Sequence, residues 1–391
     1  MRYSLLGRFR GAVAGVSFGS RLMLSRQKSF SSSVDSRGKA NQNSYILLKL
    51  EQCGLKGCES ETEDEHLTST DEESLVVQMT RSLIRCQGFE RANWNQSWQK
   101  WQQDQQRRSA LRSNRVEEQS KGVRTRSKFY GDSRLSPAKV AVATLPIALF
   151  FHEQPDRLRQ QLRQGIQIWP EQAGDEVLEQ AVFALHLAIA LALKEELDPP
   201  TVIPTILNHL DPQIDLYRQL QQVQTLTEQN VSLETAQEIL LKSSREFAMS
   251  PTTAQAGIGS EDTTSIALAF YGFVSTAHDP DIALLRSVEM GLKTPMVSTL
   301  TGALSGAYNS FSSFPLSWQL QLQTATNSSS PIVSPAAQAP GGKPLLPDIL
   351  QSATELFSVW SGVYNTASSK KFEIDPTLTV AAPNVIRSHQ S

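Results

Sequence analysis

The segment with the strongest resemblance to a ligand-binding loop is residues 290–308, MGLKTPMVSTLTGALSGAY. Gly291 is followed by a short polar break and then by small residues spaced for close helix packing. Where such a site would carry carboxylates, the loop has Lys293, Pro295 and Met296. A lysine ammonium repels cations, and the side chains of proline and methionine carry no oxygen. The loop therefore has the form of a binding site without the side chains of a metal centre.

Two other patterns with catalytic or metal-binding chemistry are weaker. Cys53 and Cys58 are not accompanied by a second Cys or His pair at metal spacing, so we do not expect a structural zinc. Residues 15–19, GVSFG, match the nucleophile elbow of serine hydrolases, which requires a strand before the serine. The preceding residues predict a helix, so we interpret this match as chance. With three cysteines in all, a reducing, cytoplasmic environment is the simplest expectation.

Length and composition are those of a globular protein. The chain has 391 residues, of which 39% are apolar and 19% charged, enough to bury a large core. A net charge of −2 argues against wholesale attraction to nucleic acid. The longest uncharged apolar run, residues 181–193, has 13 residues and is too short for a bilayer. We therefore expect no membrane span.

Helical periodicity dominates the chain and predicts an all-α fold. Apolar residues recur at helical spacing in residues 74–86, 136–151, 175–197, 262–276, 281–290 and from about 296. His186, inside the longest of these helices, is interpreted as a core histidine. We predict an orthogonal multi-helix domain over 1–321, with polar inserts at about 25–70 and 90–133, a linker at 322–347, an amphipathic helix at 348–366 and a tail at 367–391.

The second polar insert admits two interpretations. Trp94, Trp98 and Trp101 fall at helical spacing, and residues 100–139 contain eleven Lys and Arg against four Asp and Glu. Aromatic and basic side chains together could form a surface for single-stranded nucleic acid over residues 94–139. We favour the alternative, in which the tryptophans anchor a polar helix to the core.

The amino terminus is also ambiguous. Residues 1–34 hold five Arg, one Lys and no acid, which is the composition of a mitochondrial transit peptide. Against this, Gly11, Gly15 and Gly19 recur every fourth residue, so one face of a helix would be bare backbone. Because glycine costs about 1 kcal/mol in a helix interior, three in register indicate close packing. We favour the first core helix.

The carboxyl-terminal helix carries the clearest interaction signal. Its apolar stripe runs from Ile349 to Tyr364 and includes Leu356, Phe357 and Trp360. A helix of this length is marginal alone in water, so the stripe must be buried somewhere. The preceding linker leaves both the chain's own surface and a groove on another chain within reach. We favour a protein partner or self-association through residues 349–364.

Five segments occur in an order that resembles a known family. They are RFRGAVAGVSFG, LVVQMTRSLI, ATLPIALFFHEQPDRL, TTSIALAFYGFVSTAHDPDIALLRSVEMG and TLTGALSGAYNSFSSFPLSW. Together they resemble the ADP-ribosylglycohydrolase family, of the dinitrogenase-reductase-activating type, over roughly residues 7–320. The resemblance implies an all-α bundle whose central cleft holds two divalent cations, usually magnesium or manganese. It also implies hydrolysis of the bond between ADP-ribose and a modified side chain, often arginine.

The acidic clusters that hold the cations in that family differ in this chain. The late family pattern Gly-Gly-Asp-Thr-Asp-Thr corresponds to residues 291–296, where Lys293, Pro295 and Met296 stand. The early Thr-Asp-Asp-Thr precedes a Gln-Met pair. If Gln78 and Met79 are that pair, the family's Thr-Asp-Asp-Thr corresponds to four residues without a carboxylate: Ser74, Leu75, Val76 and Val77. Ser20 also stands where the family usually has Asp.

A shifted early cluster is the alternative. Thr70, Asp71 and Glu72 lie one helical turn before Ser74 and could be residual ligands. A shift of four residues moves the donors about 6 Å along a helix, several times a metal–oxygen bond of roughly 2.0 to 2.6 Å.

We therefore expect a non-catalytic binding or regulatory module with a degenerate dinuclear metal site and no resident metal. Its cleft could take ADP-ribose or an adenine nucleotide. One alternative is an active ADP-ribosyl hydrolase with a rearranged site. A less favoured alternative is a nucleic-acid-binding protein.

Overall fold

The computed structural model describes residues 3–33, 70–119, 135–169, 172–248, 260–290, 296–327 and 349–363. Within these ranges every regular element is helical, which confirms the predicted all-α fold. Several predicted features lie outside the described residues: Cys53, Cys58, Lys293, Pro295 and the tail from residue 367.

The helices in chain order are α1 (Leu5–Ser33), α2 (Asp71–Cys86), α3 (Arg91–Gln119), α4 (Pro137–Phe151), α5 (Pro155–Ile166), α6 (Glu176–Leu193), α7 (Val202–Leu207), α8 (Asp215–Glu228), α9 (Leu233–Ala248), α10 (Ser260–Val274), α11 (Pro280–Met290), α12 (Val297–Asn309), a short 3-10 helix (Phe311–Ser313), α13 (Leu316–Asn327) and α14 (Ile349–Trp360). Three boundaries differ from the predicted ones. α1 ends at Ser33 rather than near 25, α3 occupies the start of the predicted insert from residue 90, and α13 continues past 321 to Asn327.

Local signals set where several helices begin. The Ser136 hydroxyl accepts a hydrogen bond from the Lys139 N–H at 3.3 Å. Pro137 is the first residue of α4, where the N–H that proline lacks would have no partner within the helix. Asp175 caps α6 in the same way, through the Leu178 N–H at 3.0 Å. Pro146 lies inside α4, and the helix continues through it to Phe151.

The centre of the fold is the antiparallel pair α1 and α12, which share the most extensive contact between two helices in the described part of the chain. Gly11 lies against Gly306, Gly15 against Gly302, and Gly19 against Ser298. A Cβ atom on any of these three α1 glycines would overlap the backbone of α12. The prediction that α1 is a core helix is confirmed, because its apolar residues from Phe9 to Leu22 are buried.

α6 is the most apolar long helix of the core. Among the described residues it is the one helix long and apolar enough to cross a membrane, and 72% of it is buried inside the protein. Core helices pass the same test of length and composition. His186 is fully buried on this helix, where its ring contacts the Val182 carbonyl oxygen at 2.7 Å and Thr144 Oγ1 at 3.3 Å. The interpretation as a core histidine is confirmed.

The three tryptophans of α3 are buried in an aromatic cluster. Trp94 is fully buried, and Trp98 and Trp101 are nearly so. The rings of Trp98 and Trp101 stack with centroids 4.9 Å apart, and Trp169 meets Trp98 edge-on at 5.3 Å. These tryptophans anchor α3 to the core, as we favoured, and their faces are not available to stack on bases.

The apolar stripe of α14 is buried on the chain's own surface, against α1, α2 and α4. Leu356 is fully buried, and Phe357 and Trp360 pack on Phe9 of α1 at centroid distances of 5.4 and 6.0 Å. The Arg10 Nε donates to Thr354 Oγ1 at 2.9 Å. Phe9 of α1 thus packs against this stripe within the chain itself, and association with a partner or a second copy through residues 349–364 stays a prediction.

Candidate functional site

The start of α2 carries three consecutive carboxylates, Asp71, Glu72 and Glu73, in its first turn. Thr70 is the N-cap, and its hydroxyl accepts from the Glu73 N–H at 3.1 Å. In return the Glu73 carboxylate accepts from the Thr70 N–H at 3.2 Å, which completes a capping box. Negative side chains at this position are favoured by the partial positive charge of the helix amino terminus.

Residues of α1 complete this site from the other side. The guanidinium of Arg21 forms a two-point contact with Glu73, from Nε to Oε1 at 2.7 Å and from Nη2 to Oε2 at 3.2 Å. The Ser17 hydroxyl donates to Oε1 of the same carboxylate. The Ser20 hydroxyl donates to the Ser17 carbonyl oxygen and lies 3.1 Å from Thr70 Oγ1. These five residues form one buried polar group, which we call the Glu73 cluster: Ser17, Ser20, Arg21, Thr70 and Glu73.

The Glu73 carboxylate is fully occupied within this cluster. Its Oε1 accepts from Ser17 and from Arg21 Nε, and its Oε2 accepts from Arg21 Nη2 and the Thr70 N–H. A carboxylate has about four lone-pair sites, so every site is used. The side chain is 3% exposed, and burial of a carboxylate is costly unless such partners replace its contacts with water. Glu73 therefore has no acceptor position left for a metal ion.

The environment of Glu72 is different. Burial raises the pKa of its carboxyl above the usual range, and hydrogen bonding to backbone and the nearby Lys139 ammonium oppose that shift. This side of the α2 start therefore faces a positive charge on α4, as Glu73 faces one on α1.

The first turn of α12 lies at this end of the fold. The Ser298 hydroxyl in the first turn of α12 donates to the Gly19 carbonyl oxygen at 3.0 Å. Residues 17–21 of α1 thus lie between the start of α2 and the start of α12. Met296 is the partly exposed residue at the N-cap of α12, directly after the undescribed residues 291–295.

The early positions inferred from the Gln-Met pair lie elsewhere. Leu75, Val76 and Val77 are at most 1% exposed and belong to the hydrophobic core, and Ser74 lies inside the helix. Side chains at these positions cannot line a cleft. The helix begins at Asp71, three residues before Ser74, with Thr70 as its N-cap, so the possible residual ligands Thr70, Asp71 and Glu72 lie at its start.

Sequence reasoning missed three members of the Glu73 cluster. Glu73 could have been found from the Thr-x-x-Glu spacing of a capping box, which Thr70 and Glu73 match. Ser17 was considered only as the serine of the GVSFG motif at residues 15–19, which we interpreted as a chance match. Nothing in the local sequence around Arg21 connects it to a carboxylate 52 residues away.

Two cavities lie among the described helices. A small one of about 50 Å³ is lined by Arg26, Leu233, Glu234, Gln237, Glu289 and Met290. Burial lowers the pKa of Arg26, and Glu289 opposes that shift. A larger cleft of about 620 Å³ lies by Tyr308, toward the opposite end of α12. It contains none of the residues of the Glu73 cluster.

Comparisons with known proteins find a matching family and a similar solved structure. The family model for ADP-ribosylglycohydrolase matches residues 1–341. One solved structure, described as an ADP-ribosylglycohydrolase-related protein complex, is 15% identical with a TM-score of 0.48. Its alignment spans 91% of this chain and 97% of that one. No curated protein matches the sequence. Since the family model covers most of the chain, this protein belongs to the ADP-ribosylglycohydrolase family.

The described residues can be tested against the two divalent cations that the resemblance implies. Each magnesium or manganese ion takes about six oxygen ligands, largely from converging carboxylates. Glu73 is saturated, Ser20 offers a neutral hydroxyl, and Asp71 and Glu72 occupy adjacent positions on one helix. In the described part of the chain, no three His, Cys, Asp or Glu side chains form a group that could hold a metal. These residues by themselves do not fit a pair of divalent cations.

Proposed function

We propose that this chain is a non-catalytic member of the ADP-ribosylglycohydrolase family that binds ADP-ribose or an adenine nucleotide without divalent metal. The observation that carries the proposal is the saturation of Glu73 by Ser17, Arg21 and the Thr70 N–H. An acid at the start of α2 that is held by protein donors cannot also coordinate cations that polarise ribose hydroxyls and activate water.

The sequence of the late loop supports the same proposal independently. Lys293 and Pro295 stand where the family carries aspartates. A site that loses donors in both halves loses the charge needed to hold two cations. Contacts of a nucleotide with backbone groups and aromatic side chains do not need the metal, so nucleotide binding can be retained when hydrolytic activity is lost.

Thermal unfolding in the presence of ADP-ribose tests binding and metal dependence together. We expect the midpoint to rise with ADP-ribose by the same amount in EDTA and in magnesium, because the ligand stabilises the folded state by mass action. We expect no release of ADP-ribose from an ADP-ribosylated arginine substrate in either condition. A midpoint that does not respond to ADP-ribose or to adenine nucleotides would contradict the binding proposal.

The second candidate is an active hydrolase with a rearranged site. The observation in its favour is that Asp71 and Glu72 occupy the first two positions of α2, beside Ser20 and close to the start of α12. If this candidate is correct, magnesium-dependent release of ADP-ribose will be measurable and will be lost in Asp71→Asn and Glu72→Gln. The same substitutions in an inactive protein leave the assay unchanged at background.

A further inference from the structure

The Arg21 side chain occupies an unusual position for a basic residue on a core helix. Its guanidinium is 18% exposed and contacts a carboxylate that is 3% exposed, at the start of a neighbouring helix. Both nitrogens of the contact are directed at separate oxygens of Glu73. This planar, two-point geometry is available to arginine and not to lysine.

Acidic and basic side chains lie close together around the start of α2. Three acids lie at consecutive positions, and two basic side chains reach them from different helices, Arg21 from α1 and Lys139 from α4. Three buried or partly buried carboxylates in one helical turn repel each other and need compensating positive charge. The helix amino terminus supplies only part of it.

We propose that Arg21 is a built-in cation that takes the place of a divalent ion at this site. This inference rests on the proposed function, since it explains how the acidic side chains at the start of α2 stay buried without metal. The guanidinium supplies the positive charge, and its two N–H groups occupy the lone pairs that would otherwise be directed at an ion.

An ordinary structural ion pair is the alternative, and the two differ in one measurable respect. If Arg21 only ties α1 to α2, its removal destabilises the protein and divalent ions make no difference. If Arg21 substitutes for an ion, its removal leaves the Glu73 carboxylate beside the hydroxyls of Ser17 and Ser20. Such an oxygen-rich opening is one that manganese or magnesium can enter.

The experiment is a thermal unfolding titration of the full chain with manganese chloride. For Arg21→Ala we expect a lower midpoint than wild type in EDTA and a rise with manganese that saturates. We expect no manganese-dependent rise for wild type. A second variant, Arg21→Gln, keeps a polar side chain of similar length and provides the same comparison if Arg21→Ala does not fold.

Two controls fix the interpretation. Arg163→Ala removes an arginine from an exposed pair with Glu179 and is expected to show no response to manganese. The double variant Arg21→Gln with Glu73→Gln removes both charges and should also lose the response. Folded Arg21 variants that are indifferent to manganese would overturn the inference while leaving the proposed function intact. Saturable manganese binding by wild type would instead contradict the proposed function.

Discussion

Two histidines are held in the neutral form inside the helical core. Burial lowers the pKa of His186 and of His152 to about 4, and hydrogen bonds to carbonyl oxygens oppose the shift in both cases. Since a carbonyl oxygen can only accept, His186 Nδ1 donates to the Val182 oxygen. Its Nε2 is then the unprotonated nitrogen of the neutral ring and lies 3.3 Å from Thr144 Oγ1, whose own proton is donated to the Val140 carbonyl oxygen.

Acid should therefore destabilise the protein through these two residues. Between the unfolded pKa of about 6.5 and the folded value of about 4, the unfolded chain binds a proton that the folded chain does not. Stability is therefore lost as the pH falls through this interval. Asp215 works in the opposite direction, because burial raises its pKa to about 6 and its folded form keeps a proton that the unfolded form releases. It offsets roughly one of the two histidines.

The substitution His186→Leu tests this account. Through His186, the dependence of the free energy of unfolding on pH gains a positive slope between pH 4 and 6.5, which lowers stability on acidification. In the variant, that slope should be smaller by up to about 1.4 kcal/mol per pH unit. Urea denaturation at a series of pH values measures both slopes. His209→Leu, at an exposed position, controls for the loss of a histidine as such, and an unchanged slope in His186→Leu would contradict the assignment.

At the scale of the element, the glycine stripe of α1 is the feature that fixes the core. Gly15 faces the Gly302 backbone, which cannot rotate away as a side chain can. We expect Gly15→Ala to lower the free energy of unfolding by about 3 kcal/mol or more, because the added methyl group must separate two helices. Chemical denaturation of the purified variant measures the change.

Gly165→Ala is the matched control for that substitution. Gly165 is also helical, but the nearest atom to an added Cβ is the terminal methyl carbon of Ile147 at 3.2 Å, which can move. The gain in helix propensity, about 1 kcal/mol, should offset most of the crowding. Equal losses of stability for the two variants would mean that close backbone packing is not what makes Gly15 necessary.

The elements that sequence reasoning predicted are those whose apolar residues dominate. The core segments of α4, α6 and α12 can be predicted from the sequence because most of their residues are apolar and buried. The sequence analysis did not assign α5, α8 and α9, which are rich in Gln, Glu and Arg and bury only a narrow stripe. α8, for example, places Leu216, Leu220 and Val223 in the core among mostly polar neighbours.

The site could be predicted only in outline for a related reason. The eight carboxylates in residues 59–74 resemble a solvated loop. The capping-box spacing of Thr70 and Glu73 indicates that a helix starts there, but not that Arg21 and Ser17 meet Glu73. That meeting depends on how α1 packs against α2. Local spacing carries no information on it.

At the scale of the whole molecule, the fold extends beyond the family match. The match ends at residue 341, whereas α14 begins at Ile349 and covers α1, α2 and α4. Phe9, His152 and Trp360 form part of one aromatic cluster, with the His152 and Trp360 rings 4.9 Å apart. The carboxyl-terminal helix thus closes the hydrophobic core of the protein itself.

The double substitution of Phe357 and Trp360 by Ala tests that role. Because truncation of buried aromatic side chains costs about 3 to 5 kcal/mol each, and Phe357 is only partly buried, we expect a combined loss of roughly 3 kcal/mol or more. Guanidinium denaturation measures it, with Gln351→Ala at an exposed position as control. Unchanged stability together with loss of a dimer or a bound protein would restore the docking interpretation.

The glycine contacts of α1 also have a consequence for synthesis on the ribosome. The residues that α1 packs against lie about 280 positions later in the chain, as the bond from Ser298 to Gly19 illustrates. At roughly 5 to 20 residues per second, the ribosome needs about 15 to 60 s to make that partner. During this time the face of the first helix that packs on α12 has no native partner. Translation of this protein should therefore depend on a holding chaperone more than its size alone would require.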